Sequence, residues 1–274
     1  MKRICKVLLF LAVVAPAMRA EAYPVDRRLF QAQYGKAVRC ELCHSNGGGT
    51  ERNGFGKAWQ KAGESLEAFK AIEAQDSDGD GVKNLDEIKG GSNPGDARST
   101  PDNPGSRWTR GEQIPIPGDQ LVMTFGPTDE IQASEPSITT EQGRAVEQAV
   151  GRPLAQDERF PTLYFAVKDG KRVAVGVFAY PKVNSHRFTI LMSIEPSGNL
   201  KKVVMFRAGQ DSPALYQPFL GCLAGKSRST LGASSGCPEP GGRKAEIKAM
   251  TSAVRASLWT VATLFAKPAA GGTR

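Results

Sequence analysis

The apolar positions fall into four regimes along the chain. A continuous apolar run covers 7–15, directly behind a basic start of Lys2, Arg3 and Lys6. From Tyr23 to about Thr100 the chain is dense in Gly, Lys and Asp. There it shows short helical spacings such as Leu66, Phe69 and Ile72, without strand-like alternation, so it predicts short helices. Residues 101–118 are broken by repeated prolines and glycines, which forbid regular structure and mark a linker, with Trp108 placed to dock it. Beyond the linker, 137–151 predicts an amphipathic helix, with Thr139 or Thr140 capping before Glu141 and Val146, Ala149 and Val150 on one side. Strand-like runs follow at 163–167 and 172–180, joined by Asp169-Gly170 as a hairpin turn, then at 188–194 and 200–206 around Pro196-Ser197-Gly198-Asn199. Residues 244–266 carry Ile247, Met250, Val254, Leu258, Val261 and Leu264 at three- and four-residue spacing, a core-packing helix.

The expected fold class is therefore α+β. Two domains are expected: a small, mostly helical one over 23–100, then the linker over 101–118 and a second domain over 119–267 with an antiparallel sheet between helices, followed by a tail over 268–274. The first regime reads as a leader over 1–22: basic start, short apolar run, and small residues Ala20 and Ala22 at an A-x-A cleavage site, with Tyr23 opening the mature chain. Its apolar run is far shorter than the ~20 residues a spanning helix needs, and no later stretch is long enough to span. The expected location is the periplasm, with no membrane span once the leader is cleaved.

Charge adds an exclusion. The net charge is +8, and the leader holds four basic residues against Glu21, which leaves the mature chain at +5. The basic residues are scattered singly or in pairs such as Lys201-Lys202, not in the dense stripe that phosphate backbones require, so a nucleic-acid partner is not expected.

Export also sorts the five cysteines. Cys5 leaves with the leader; Cys222 and Cys237 flank a Gly/Ser-rich loop that a disulfide would tie in an oxidising compartment. Cys40-Glu41-Leu42-Cys43-His44 is a C-x-x-C-H sequence. Two thiols three positions apart can each add across a haem vinyl group while the adjacent imidazole ligates the iron. Two other readings exist, a zinc site, which needs a second ligand pair, and a thioredoxin-like motif, which needs a βαβ context and no histidine. For the opposite axial position the sequence offers His186, Met123, Met192, Met205 or Lys57, or leaves it open. An open iron would tilt the function from electron relay towards sensing or peroxide chemistry.

The twelve residues 76–87 match the ligand positions of an EF-hand loop. Asp76, Asp78 and Asp80 stand at positions one, three and five; Gly81 makes the turn; Val82 offers its carbonyl; Asn84 binds directly or through water; and Glu87 closes the loop at twelve. Lys83 replaces the apolar residue through which such loops pair, so a structural calcium staple is expected.

Two resemblances extend these readings. Residues 34–101, with CELCHSNGGGTERNGFGKAWQKAG and FKAIEAQDSDGDGVKNLDEIKGGSNPGDARSTP, resemble single-haem bacterial cytochromes that carry a calcium-binding repeat of the EF-hand or thrombospondin type 3 kind. The stretch from about 120 to 267 is similar to the FMN-binding domain of the flavin subunits of Rnf and sodium-pumping NADH:quinone oxidoreductase complexes. That family carries D-x-x-S/T-G-A-T with FMN on its threonine. Here 245–251 reads AEIKAMT, with the acidic residue displaced to Glu246, Lys248 for the Ser/Thr and Ala249 for the glycine. The resemblance implies FMN held by Lys248, Thr251 and Ser252 at a helix start, where the Thr251-Ser252 pair equally suits a plain helix cap.

Together these features imply an exported electron-transfer protein with one covalent haem c, a calcium ion and FMN as a further cofactor. The expected partner is a redox protein or membrane oxidoreductase complex. The alternative is a haem-based sensor or accessory subunit without flavin. It is expected to be an electron carrier more than a bond-making enzyme.

Overall fold

The structure, a computed structural model, describes residues 23–104, 114–184, 186–232 and 236–266. The expected leader over 1–22, Trp108 and the tail over 268–274 lie outside it.

Four short helices open the chain: α1 (Pro24–Tyr34), α2 (Gly54–Lys61), α3 (Leu66–Ala71) and α4 (Asn84–Gly90). Each has local signals at its ends. Pro24 pre-sets φ in the first turn of α1, and Gly35 at φ 69° ends it. The side chains of Asn53 and Ser65 accept from Gly56 N and Ala68 N to cap α2 and α3. The helices meet through aromatic rings: Trp59 stacks on Phe69 at 4.9 Å, and Phe30 meets Phe69 edge-on at 5.3 Å.

After α5 (Gly118–Phe125) comes the sheet, with β1 (Glu130–Ser134), β2 (Leu163–Lys168), β3 (Lys171–Ala179), β4 (Lys182–Val183), β5 (His186–Ile194) and β6 (Leu200–Ala208). All pairings are antiparallel: β1, β2, β3 and β5 follow in order, and β4 and β6 both pair with β5. Asp169 and Gly170, at φ 50° and 70°, make the tight β2–β3 turn expected of them. The helix α6 (Thr140–Val150) begins with a capping box between Thr139 and Gln142. Late in the chain come α7 (Gln217–Cys222) and α8 (Lys244–Phe265). The α+β expectation holds. Among the described residues no helix is long and apolar enough to cross a membrane.

Side chains alternate across the strands and so enter two cores. On one face Phe165, Val177, Ile190, Met192 and Met205 pack with Phe219, Leu220, Met250 and Val254 of α7 and α8. On the other face Tyr164, Ala174, Phe178, Tyr180 and Leu191 join a cluster with Phe30, Leu42, Phe55, Trp59, Phe69 and Ile88. The helical segment and the sheet thus bury one common apolar cluster. Polar ties reinforce the contact. Arg187 of β5, 3 % exposed, donates from Nη1 to Asp26 Oδ1 at 2.8 Å and from Nη2 to the Glu64 carbonyl at 3.1 Å. Arg27 pairs with Glu135, and Gln156 accepts from Leu66 N at 3.0 Å.

Candidate cofactor site

Cys40 opens a single 3₁₀ turn, Cys40–Leu42, and Cys43 caps its end; the amides of Cys43 and His44 both donate to the Cys40 carbonyl. The chain then loops through Gly47 and Gly49, whose φ of 88° and 86° only glycine adopts readily, and returns so that Ser45 N donates to Glu51 O. This return brings the Thr50 carbonyl to the His44 ring, where Nδ1 donates to it at 2.6 Å. The bond fixes the tautomer: Nδ1 carries the proton and Nε2 keeps the lone pair that a metal needs.

A recess opens beside these residues, lined by the apolar Tyr23, Phe30, Val38 and Leu42 and by the charged Asp26, Arg27, Arg39 and Arg52. Arg52 gives one guanidinium nitrogen to Glu64 at 2.9 Å, while its Nη1 is buried without a hydrogen-bond partner. Such a donor calls for a hydrogen-bond acceptor. Two thiols, an oriented imidazole, an apolar wall and an unmatched guanidinium donor are the set a haem with its propionates would use. The recess holds about 40 Å³, much less than a porphyrin occupies, so a haem needs this wall to open.

Two observations separate the alternatives. Burial, followed by the Asp26 charge, pushes the Cys43 thiol up to about 12, and burial with Glu41 raises Cys40 as well. A dithiol redox motif needs the opposite shift. Among the described residues, the sole group of three or more His, Cys, Asp or Glu with ligand atoms close enough to share a metal is Asp76, Asp78 and Asp80. Cys40, Cys43 and His44 therefore do not converge as a zinc site does.

None of the five residues considered for the opposite axial position lines the recess. Met192 and Met205 belong to the core on the far face of the sheet. Met123 is 57 % exposed on α5, and Lys57 is paired with Glu51 at 2.6 Å. His186 lies at the start of β5, against Gly209.

The acidic loop folds around its own backbone. Asp76 accepts from Gly79 N and Gly81 N, Asp78 from Asp80 N, and Asp80 from Val82 N. These bonds leave Asp78 Oδ2 and Asp80 Oδ2 buried and unpartnered. Glu87 in the first turn of α4 is fully buried; its Oε1 accepts from Ser92 and its Oε2 has no partner. Burial, then Asp78 and its neighbours, push the Glu87 carboxyl up to about 8. Three unpartnered carboxylate oxygens in one loop fit a divalent cation with oxygen ligands. Asn84 differs from the expectation. Its Oδ1 accepts from Ser77 N and its Nδ2 donates to Ile72 O, so the side chain braces the loop and is not turned to the acids.

The expected flavin residues require a correction. Lys248, Thr251 and Ser252 do not open a helix: α8 begins at Lys244, and their backbone amides are inside its ladder. Thr251 is 1 % exposed and its hydroxyl donates to Ile247 O at 2.8 Å, the back-bonding of a core threonine. Lys248 and Ser252 do line a separate cavity of about 500 Å³ with Arg152, Lys182 and Tyr180. The Cys222–Cys237 disulfide is present, with Cα atoms 5.7 Å apart.

Sequence reasoning missed Thr50, Arg52 and Asn53. The first serves through its backbone, which carries no residue signature, and the second acquires its role only when Glu64 and the recess come together. Asn53 had a signal, a cap residue before Gly54-Phe55, but its second task does not show in sequence: its Nδ2 donates to Leu42 O at 3.0 Å. No family model, curated protein or solved structure matches the chain.

Proposed function

We propose that this chain is an exported electron-transfer protein that carries one covalent c-type haem. The observation that carries the reading is the His44 ring, held through Nδ1 by Thr50 with Nε2 left as the lone-pair nitrogen, beside two unbridged cysteines and the unpartnered Nη1 of Arg52.

Cys40 and Cys43 would anchor the group, His44 would ligate its iron, and Arg39 and Arg52 would face its propionates. The haem would supply a single-electron couple whose potential follows from its axial ligands and burial. The chain's own contribution is positional. Thr50 sets the imidazole, Phe30 and Leu42 exclude water, and the loop 76–87, read as a calcium site, stiffens the helices behind. Flavin enters as a reversible guest of the 500 Å³ cavity, where Lys248 offers a cation to a phosphate while Arg152 is paired with Glu158. The partner is a redox protein or membrane complex.

A second reading, a haem-based sensor or accessory subunit, is favoured by the absence of Met, Lys or a second His from the recess lining. Intact mass under denaturing conditions, after expression with haem-attachment machinery, tests the first claim: mass without one haem sinks it. Carbon monoxide binding to the reduced protein then divides the readings, since a relay whose iron would be held by two protein side chains resists it and an iron held by His44 alone would take it.

A further inference from the structure

The acidic loop and the C-x-x-C-H turn are walls of one another. Gly54, the first residue of α2, is pressed so close to the loop that a Cβ there would lie 1.9 Å from the Ser77 carbonyl oxygen. Two residues on, a Cβ at Gly56 would lie 2.2 Å from the Cys43 carbonyl oxygen. The start of α2 is thus a spacer with the acidic loop on one side and the haem cysteine on the other. Asn53 locks it: its amide N donates to Cys43 O at 3.0 Å, and its side chain donates to Glu41 O and Leu42 O.

A second route runs from Glu87. Ser92 donates to Glu87 Oε1 at 3.1 Å, and the adjacent Asn93 donates from Nδ2 to Glu41 O at 3.2 Å. Both routes end on residues 41–43, the interior of the haem-binding turn. At their other end stand three acidic side chains whose ligand oxygens lie within 4.8 Å of one another, and the fully buried Glu87 with an unpartnered oxygen. Without a cation the three aspartates repel one another in the loop that presses Ser77 on Gly54, and Glu87 keeps a buried oxygen without a partner beside its bond from Ser92.

Resting on the haem reading above, we propose that calcium held by Asp76, Asp78, Asp80 and Glu87 is a positioning ligand of the haem turn: its occupancy sets the geometry of residues 41–43 and hence the haem environment. The energy is transmitted through Ser77–Gly54–Asn53 and Glu87–Ser92–Asn93. Linkage makes the coupling reciprocal, so a haem that orders the turn must tighten calcium by the factor by which calcium tightens the turn.

The test uses the full mature holoprotein with calcium alone as the probe. Calcium is stripped with a chelator and titrated back while haem absorption and haem circular dichroism are followed. Calcium affinity is then measured by calorimetry on the holoprotein and on the Cys40→Ala, Cys43→Ala double variant. We expect a saturable haem spectral shift at one equivalent of calcium, its loss in Glu87→Gln, and calcium binding about tenfold tighter with haem than without. Should the double variant fail to fold, the holoprotein titration decides alone. One haem by mass with calcium bound but no spectral response overturns the proposal, as does one haem with no calcium bound. Absence of haem overturns it together with the reading on which it rests.

Discussion

The guanidinium of Arg187 meets the carboxylate of Asp26 at 2.8 Å across 161 positions of sequence, and 97 % of the arginine is hidden from solvent. The same guanidinium faces Glu64 Oε2 at 3.4 Å and lies 5.9 Å from the Trp59 ring centroid. One side chain from the sheet thus gathers charges from α1 and from the turn after α2. Removing it leaves Asp26 without this partner and Glu64 with Arg52 alone. Arg187→Met is expected to cost about 3–5 kcal/mol in urea unfolding, with Arg187→Lys intermediate.

Acid should act through the same cluster. Burial alone would raise the Glu64 carboxyl, but Arg187 and Arg52 outweigh it and hold the group below its ordinary range. A carboxyl depressed in the folded state contributes stability that is complete above its unfolded pKa and is lost as pH falls through the folded one. Thermal midpoints should therefore fall on acidification below the ordinary glutamate range, and Glu64→Gln should flatten that slope while lowering the plateau at neutral pH.

The haem claim has its own variants. Cys40→Ala with Cys43→Ala should abolish the haem increment in denatured mass while far-ultraviolet circular dichroism stays that of the α+β fold. His44→Ala should keep the increment, because the thioethers do not involve the ring, and change the axial-ligand bands of the visible spectrum.

Covalent flavin at Thr251 is expected to be absent, since its hydroxyl is buried and committed to Ile247 O. Denatured mass should show no FMN increment, and Thr251→Val should be close to neutral in stability.

The disulfide ties residues 15 apart in sequence, a loop whose closure removes about 3 kcal/mol of chain entropy from the unfolded state. Replacing Cys222 and Cys237 by alanine should lower the unfolding free energy from chemical denaturation by that amount, read against the wild type under oxidising conditions.

Local signals carried much of the fold in the sequence itself. A threonine cap before Glu141, Asp169-Gly170, the spacing from Ile247 to Leu264 and the two late cysteines are all short-range signals, and the structure has each of them, with Thr139 as the cap and Gln142 as its unforeseen partner. The packing of α1–α4 onto the sheet was harder to see, because it depends on pairs such as Arg187 with Asp26 that share no local pattern. A trace of it was present. The runs Leu163-Tyr164-Phe165-Ala166-Val167 and Phe188-Thr189-Ile190-Leu191-Met192 lack the alternation of a half-exposed strand, which is the mark of a sheet covered on both sides. At the candidate site the ligand-bearing residues were legible from spacing. The residues that orient them were not, since Thr50 acts through its carbonyl and Asn53 through bonds to a backbone eleven positions away.

Because β5 is sandwiched, its neighbouring side chains answer to different masters. Leu191 joins the cluster that holds Phe55, Trp59 and Leu42, whereas Met192 joins the one built on α7 and α8. Changes at alternate positions of one strand are thus sorted by parity: those on the Leu191 side press towards the turn that carries Leu42, and those on the Met192 side press towards α8, which carries Lys248 and Ser252.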